Sequence, residues 1–85
     1  SVNDPFVMKA WGEDRGVADD VLMLSDGNGD FTAAIGLEMD GSGFGLGNRS
    51  QRYAMVIDDG VVSALNVESG PGLEVSSAEA ILEIL

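Results

Sequence analysis

One two-residue turn constrains this chain more than any other feature. Asp59-Gly60 separates two apolar runs, Tyr53–Asp58 and Val61–Val67. An Asp-Gly pair accepts the positive φ angles of a tight hairpin turn, whose twist matches that of the strands on either side. The first run alternates, with Tyr53, Met55 and Ile57 on one face and Ala54 and Val56 on the other. Residues 53–67 are therefore expected to form an antiparallel hairpin. A hairpin alone is marginal in water, so other elements must cover it.

Those elements can be placed from their start and stop signals. Asp4-Pro5 opens a helix, with Asp as N-cap and Pro at the first helical position, where a missing N–H costs nothing. Phe6, Val7, Ala10 and Trp11 then define its apolar stripe, and Gly12 or Gly16 its end. Val21-Leu22-Met23-Leu24 is a short continuous apolar run, the pattern of a strand buried on both faces. Ser1-Val2 reads as the tail of another strand. Asp30 is expected to cap a short helix through Phe31, Ala34 and Ile35 that stops near Gly36. Ser76 followed by Glu79 forms a capping box for a last helix bearing Ala80, Ile81, Ile84 and Leu85. The order helix, strand, helix, hairpin, helix predicts an α/β sandwich with a mixed sheet, the way a thioredoxin-like fold ends.

Composition narrows the chemistry. The chain has 85 residues and a formal charge of −11, with 15 acidic side chains against four basic ones. That balance opposes nucleic-acid binding and attachment to anionic membranes, both of which need clustered Lys and Arg. No apolar run has the length of a membrane span, and no signal pattern opens the chain. The start at Ser1-Val2-Asn3-Asp4, without Met, reads as a longer chain cut at a strand end. With no cysteine and no histidine, thiolate chemistry, disulfides, Cys/His zinc sites and histidine acid–base catalysis are closed to these residues by themselves.

Several motifs carry little. Asp26-x-Asn28-x-Asp30 has calcium-loop spacing, but Phe31 and Leu37 stand where an EF-hand needs Gly and a bidentate Glu. The Gly41–Gly47 run lacks the Gly-Lys-Ser/Thr ending of a phosphate loop, so its glycines are expected to serve close backbone approach or a mobile loop. Asp19-Asp20 and Asp58-Asp59 fall in turns, with no cleft to shift a pKa. No metal or cofactor is expected. The stretch Gly47-Asn48-Arg49-Ser50-Gln51-Arg52-Tyr53 differs, because it holds two of the four basic residues just before the most distinct strand. An arginine there either aims its planar fork at an oxyanion or thiolate, or pairs with a nearby carboxylate on the surface.

The segments Ser1-Val2-Asn3-Asp4-Pro5-Phe6-Val7, Ala10-Trp11-Gly12, Gly47-Asn48-Arg49, Arg52 to Gly60 and Ala64-Leu65-Asn66-Val67-Glu68 occur in the order and spacing of type II peroxiredoxins. The chain resembles the C-terminal half of that family's single domain across residues 1–85. The resemblance implies a partial thioredoxin-like fold lacking its N-terminal half, from a thiol peroxidase that reduces hydrogen peroxide and alkyl hydroperoxides. The peroxidatic cysteine belongs to the other half, so this chain alone is expected to be inactive. The resemblance places Arg52 beside the peroxidatic sulfur, Leu46 in the lining of the peroxide pocket, and Arg49 in support of its loop. Val75 falls where some members carry a resolving cysteine. It further implies recycling by glutathione–glutaredoxin or thioredoxin, a cytoplasmic location, and a homodimer formed near Phe6, Trp11 and the Gly41–Gly47 segment. A rival reading from the residues is a non-catalytic α/β module that dimerises or binds a partner. A second is a weak calcium-binding domain using Asp26, Asn28 and Asp30.

Overall fold

A computed structural model describes all 85 residues. The elements are helix α1 (Pro5–Asp14), helix α2 (Asp30–Ala34), strands β1 (Glu38–Asp40), β2 (Asn48–Ser50), β3 (Tyr53–Asp58) and β4 (Val61–Val67), and helix α3 (Ala78–Ile84). They divide between two compact units, residues 1–50 and residues 51–85. No helix is long and apolar enough to cross a membrane.

In the first unit, α1 starts as the sequence dictates. The Asp4 carboxylate accepts the Val7 N–H at 2.8 Å, and Pro5 is the first helical residue. The helix buries a different face from the expected one. Met8 and Gly12, one turn apart, are buried, with Met8 only 4% exposed. Phe6 is 83% exposed and Trp11 48%. Gly12 explains the choice: a Cβ there would lie 2.8 Å from Met23 Cγ, so its bare backbone lets the helix settle onto that side chain. The helix thus seats on its one glycine and leaves the Phe6, Val7 and Trp11 stripe outside.

The Val21–Leu24 run is not a regular strand. Its neighbour is the Ser1–Asn3 segment: the Ser1 ammonium donates to the Leu24 carbonyl at 3.2 Å and the Asp26 N–H donates to the Ser1 carbonyl at 2.7 Å. That pair of bonds is one rung of a parallel ladder. The neighbouring segment turns into the α1 cap at Asp4, so no second rung follows. Helix α2 also departs from expectation. Its N-cap is Gly29, and the capping carboxylate is Asp26, which accepts the Phe31 and Thr32 N–H groups at 3.0 and 2.9 Å. Asp30 is already inside the helix.

Strands β1 and β2 form a small antiparallel pair, Glu38 opposite Ser50 and Asp40 opposite Asn48. The turn Ser42–Phe44 lies between them. Gly41 permits a close approach, since a Cβ there would sit 2.9 Å from Leu46 Cβ.

The second unit is built on the predicted hairpin. β3 and β4 pair antiparallel from Tyr53–Val67 to Asp58–Val61. Asp59 and Gly60 turn the chain with φ of 51° and 78°, the two positive angles of a type I′ turn. The register shifts between Val56 and Ile57, leaving Ser63 as the extra residue of a bulge. α3 packs against β3. Its N-cap is Ser77, whose hydroxyl accepts the Ala80 N–H at 3.1 Å, one residue beyond the expected Ser76. The Ser76 hydroxyl is engaged elsewhere, on Glu68.

The expected mixed sheet does not form within this chain. The strands make two separate two-stranded antiparallel sheets, and the parallel partner is reduced to one rung at Ser1. Only Val2 and Met8 are buried hydrophobic side chains. The accessible surface is 6330 Å², against about 4,800 Å² for a folded monomer of this mass.

Candidate functional site

The two arginines that precede β3 have different surroundings. Arg49, in β2, is half-buried and donates through Nη1 to the Val2 carbonyl, pinning the first residues of the chain to the β1–β2 pair. Arg52 lies one residue before β3, in the second unit, and its side chain is exposed. Its backbone is fixed: the Arg52 carbonyl accepts the Glu68 N–H at 2.9 Å, extending the hairpin register by one bond. A guanidinium at a strand mouth with an anchored backbone can present its donors to an anion brought to that point.

Leu46 is 49% exposed and belongs to the first unit, so the two candidate residues fall in different units. An open hollow of about 630 Å³ lies in the first unit between α1 and the 18–25 stretch. Its walls include Lys9, Gly12, Glu13, Asp20 and Met23, but neither Leu46 nor Arg52. Asp26, named for a calcium loop, uses both carboxylate oxygens on Phe31 and Thr32, including the Thr32 hydroxyl at 2.7 Å. These bonds, that of the Thr32 hydroxyl first, hold its pKa below the ordinary carboxylate value. Asp40 is lowered in the same way by Ser42, whose N–H it accepts at 2.9 Å. No group of three or more Asp or Glu side chains converges as a metal site.

Glu68 is the polar centre that sequence reasoning passed over. It directly follows β4, is 9% exposed, and turns its carboxylate onto the loop leading to α3. Oε2 accepts the N–H groups of Glu74 at 2.9 Å, Val75 at 3.0 Å and Ser76 at 2.8 Å, and the Ser76 hydroxyl at 2.6 Å. The Ser76 hydroxyl, then the three amides, pull its pKa down to about 2 against the opposing effect of burial. Asn66 adds a bond from its side-chain amide to the Val75 carbonyl at 2.9 Å. The sequence signal is faint: an acidic residue closing an apolar strand ahead of a Gly/Ser loop.

Comparison with known proteins supplies what these residues alone do not. The Redoxin family model matches residues 1–82. Among curated proteins the chain is 54% identical to chloroplastic Peroxiredoxin-2E of Arabidopsis thaliana, over 100% of this chain and 37% of that protein. It is 51% identical to Peroxiredoxin-2B of the same plant, over 100% of this chain and 52% of that protein. Among solved structures, reduced Prx3 in complex with H₂O₂ from Vibrio vulnificus superposes with a TM-score of 0.90 and 63% identity. The match covers 99% of this chain and 54% of that one. The chain therefore spans about half, or less, of the length of these relatives. With the family model matched across nearly its whole length, this chain belongs to the redoxin family and is similar to its type 2 peroxiredoxins.

Proposed function

We propose that this chain is the arginine-bearing part of a thiol peroxidase that reduces hydrogen peroxide and alkyl hydroperoxides. The observation that carries the reading is the 63% identity to Prx3 of Vibrio vulnificus, a protein crystallised with H₂O₂. The reaction needs a thiolate: its sulfur attacks one peroxide oxygen, the O–O bond breaks, and the departing oxygen leaves as water or alcohol once protonated. The sulfur is left as a sulfenic acid, which a thiol reductant returns to thiol. This chain has no cysteine, so the thiolate must come from another part of the protein. Arg52 is the residue we assign to that sulfur. A fixed positive charge favours thiolate over thiol. Its donors can also take the charge that develops on the leaving oxygen. Leu46 is assigned to the apolar wall of the peroxide pocket.

The reductant we assign is thioredoxin or glutathione–glutaredoxin, because Val75 replaces the cysteine that would form an internal disulfide. For assembly we favour a homodimer through the first unit, where Phe6, Trp11 and, within the Gly41–Gly47 segment, Phe44 are exposed. For location we propose the cytoplasm. The rival reading of a non-catalytic binding module draws on the same exposed apolar surface. Sedimentation separates the two, since such a module forms a discrete oligomer and a dependent part of a larger domain does not.

The decisive test is peroxide consumption with a thiol reductant. These 85 residues alone should give the background rate. In a full-length protein carrying them, Arg52→Met should lower kcat/KM by about 10²–10³-fold, the scale of losing one charge-stabilising donor, and raise the reactive thiol's pKa. Unchanged turnover in that variant would remove Arg52 from the chemistry.

A further inference from the structure

We propose that Glu68 is an internal anionic latch, whose carboxylate fills a cradle of consecutive backbone amides and fixes the loop between β4 and α3. Residues 68–77 contain no helix or strand, and their polar ties to the hairpin converge on two side chains at its end. Glu68 accepts three successive N–H groups, from Glu74, Val75 and Ser76, together with the Ser76 hydroxyl. Asn66, in β4 two residues earlier, holds the Val75 carbonyl. Successive amides pointing to one spot form a concavity that suits an anion. Here the anion is part of the chain, and it is buried with every donor in place.

The latch also reaches β3. The Glu68 N–H donates to the Arg52 carbonyl, so one residue ties the loop through its side chain and the mouth of β3 through its backbone. Ser76 spends its hydroxyl on the latch, which leaves Ser77 to cap α3. The 74–76 segment leading into α3 is therefore set by the Glu68 carboxylate, and the backbone at Arg52 by the N–H of the same residue. The inference concerns loop geometry and holds whether or not Arg52 serves a peroxidase.

Amide hydrogen exchange on the full chain tests it, with Glu68→Ala, Glu68→Gln and the control Glu74→Ala, which keeps the backbone donor of residue 74. The amides of Glu74, Val75 and Ser76 should be protected in the unsubstituted chain and in the control. In Glu68→Ala they should exchange at least tenfold faster while hydrogen-bonded amides inside the hairpin, such as Ala54 and Ala64, stay within twofold. Sodium formate at tens of millimolar, but not sodium chloride, should restore protection by occupying the emptied cradle. If Glu68→Ala loses the hairpin as well, Glu68→Gln decides: selective acceleration at residues 74–76 supports the latch. Unprotected amides in the unsubstituted chain, unchanged exchange in either variant, uniform loss in both, or no response to formate overturns it.

Discussion

The β3–β4 hairpin and helix α1 illustrate two ways of holding an element in place. The hairpin closes on itself: partners from Tyr53–Val67 to Asp58–Val61 lie within fifteen residues of chain, and the Asp59-Gly60 turn stores the register. Helix α1 has a self-sufficient start at Asp4-Pro5, but its seat is a side chain far along the sequence, Met23, which it reaches through a missing Cβ at Gly12. Its broadest apolar stripe, with Phe6 and Trp11, faces outward. Local closure sets an element's geometry from its own residues, while a remote seat ties it to whatever else covers that surface.

Removing each element's anchor should break this comparison in order of size. Met8 is one of only two buried hydrophobic side chains. Met8→Ala should cost about 2–3 kcal/mol, the lower end for such truncations because few neighbours surround the cavity. The loss should appear as faster exchange along α1, with β3 and β4 amides unchanged. Spread of the loss into the hairpin would show that the hairpin, too, leans on remote contacts.

The hairpin's own anchor is its turn. Gly60 has φ of 78°, a region that costs a side-chain-bearing residue about 1–2 kcal/mol. Gly60→Val should lower stability by that amount and accelerate exchange at Asp58 and Val61 first. An equal loss in α1 would contradict the local-closure account. Gly12→Ala is a smaller and more informative change. Alanine favours a helix interior by about 1 kcal/mol over glycine, but the new Cβ would meet Met23 Cγ at 2.8 Å. Forced shifts of that kind cost about 1–3 kcal/mol, so a net loss of about 1 kcal/mol is expected. Adding Met23→Ala should reverse its sign in a double-mutant cycle.

The same contrast explains what was legible from sequence. The hairpin, its turn, the α1 cap at Asp4 and the stop near Gly36 all rest on neighbours within a few residues, and each is where the pattern places it. Side-chain competition misled the finer cap assignments. Asp26, four residues upstream, caps α2 in place of Asp30, and Glu68 draws off the Ser76 hydroxyl so that Ser77 caps α3. The Val21–Leu24 run has the apolar character of a strand buried in a parallel sheet, yet only one rung of partner is present. α1 showed a stripe that periodicity identifies as apolar but cannot assign to a particular neighbour. At the candidate site, Arg52 stood out by charge and position, whereas Glu68 was hidden because its value depends on a loop folding back six to eight residues later.

Acid probes the unit that carries the hairpin, through the charge on Glu68. The Glu68 carboxyl is lowered to about 2 from an ordinary 4.5, first by the Ser76 hydroxyl and then by the loop amides. A depressed folded-state pKa means the stabilisation is fully present above the unfolded value and fades as pH falls from about 4.5 toward 2. Asp26 and Asp40, lowered from 3.8, add losses of the same sign at still lower pH. Denaturation of the unsubstituted chain and of Glu68→Gln should therefore show a constant stability difference from pH 7 to about 5.5. That difference should begin to shrink near pH 4 and be mostly gone near pH 2. A difference that stays flat down to pH 3 would mean that the loop is held by hydrogen-bond geometry alone and not by the charge on Glu68.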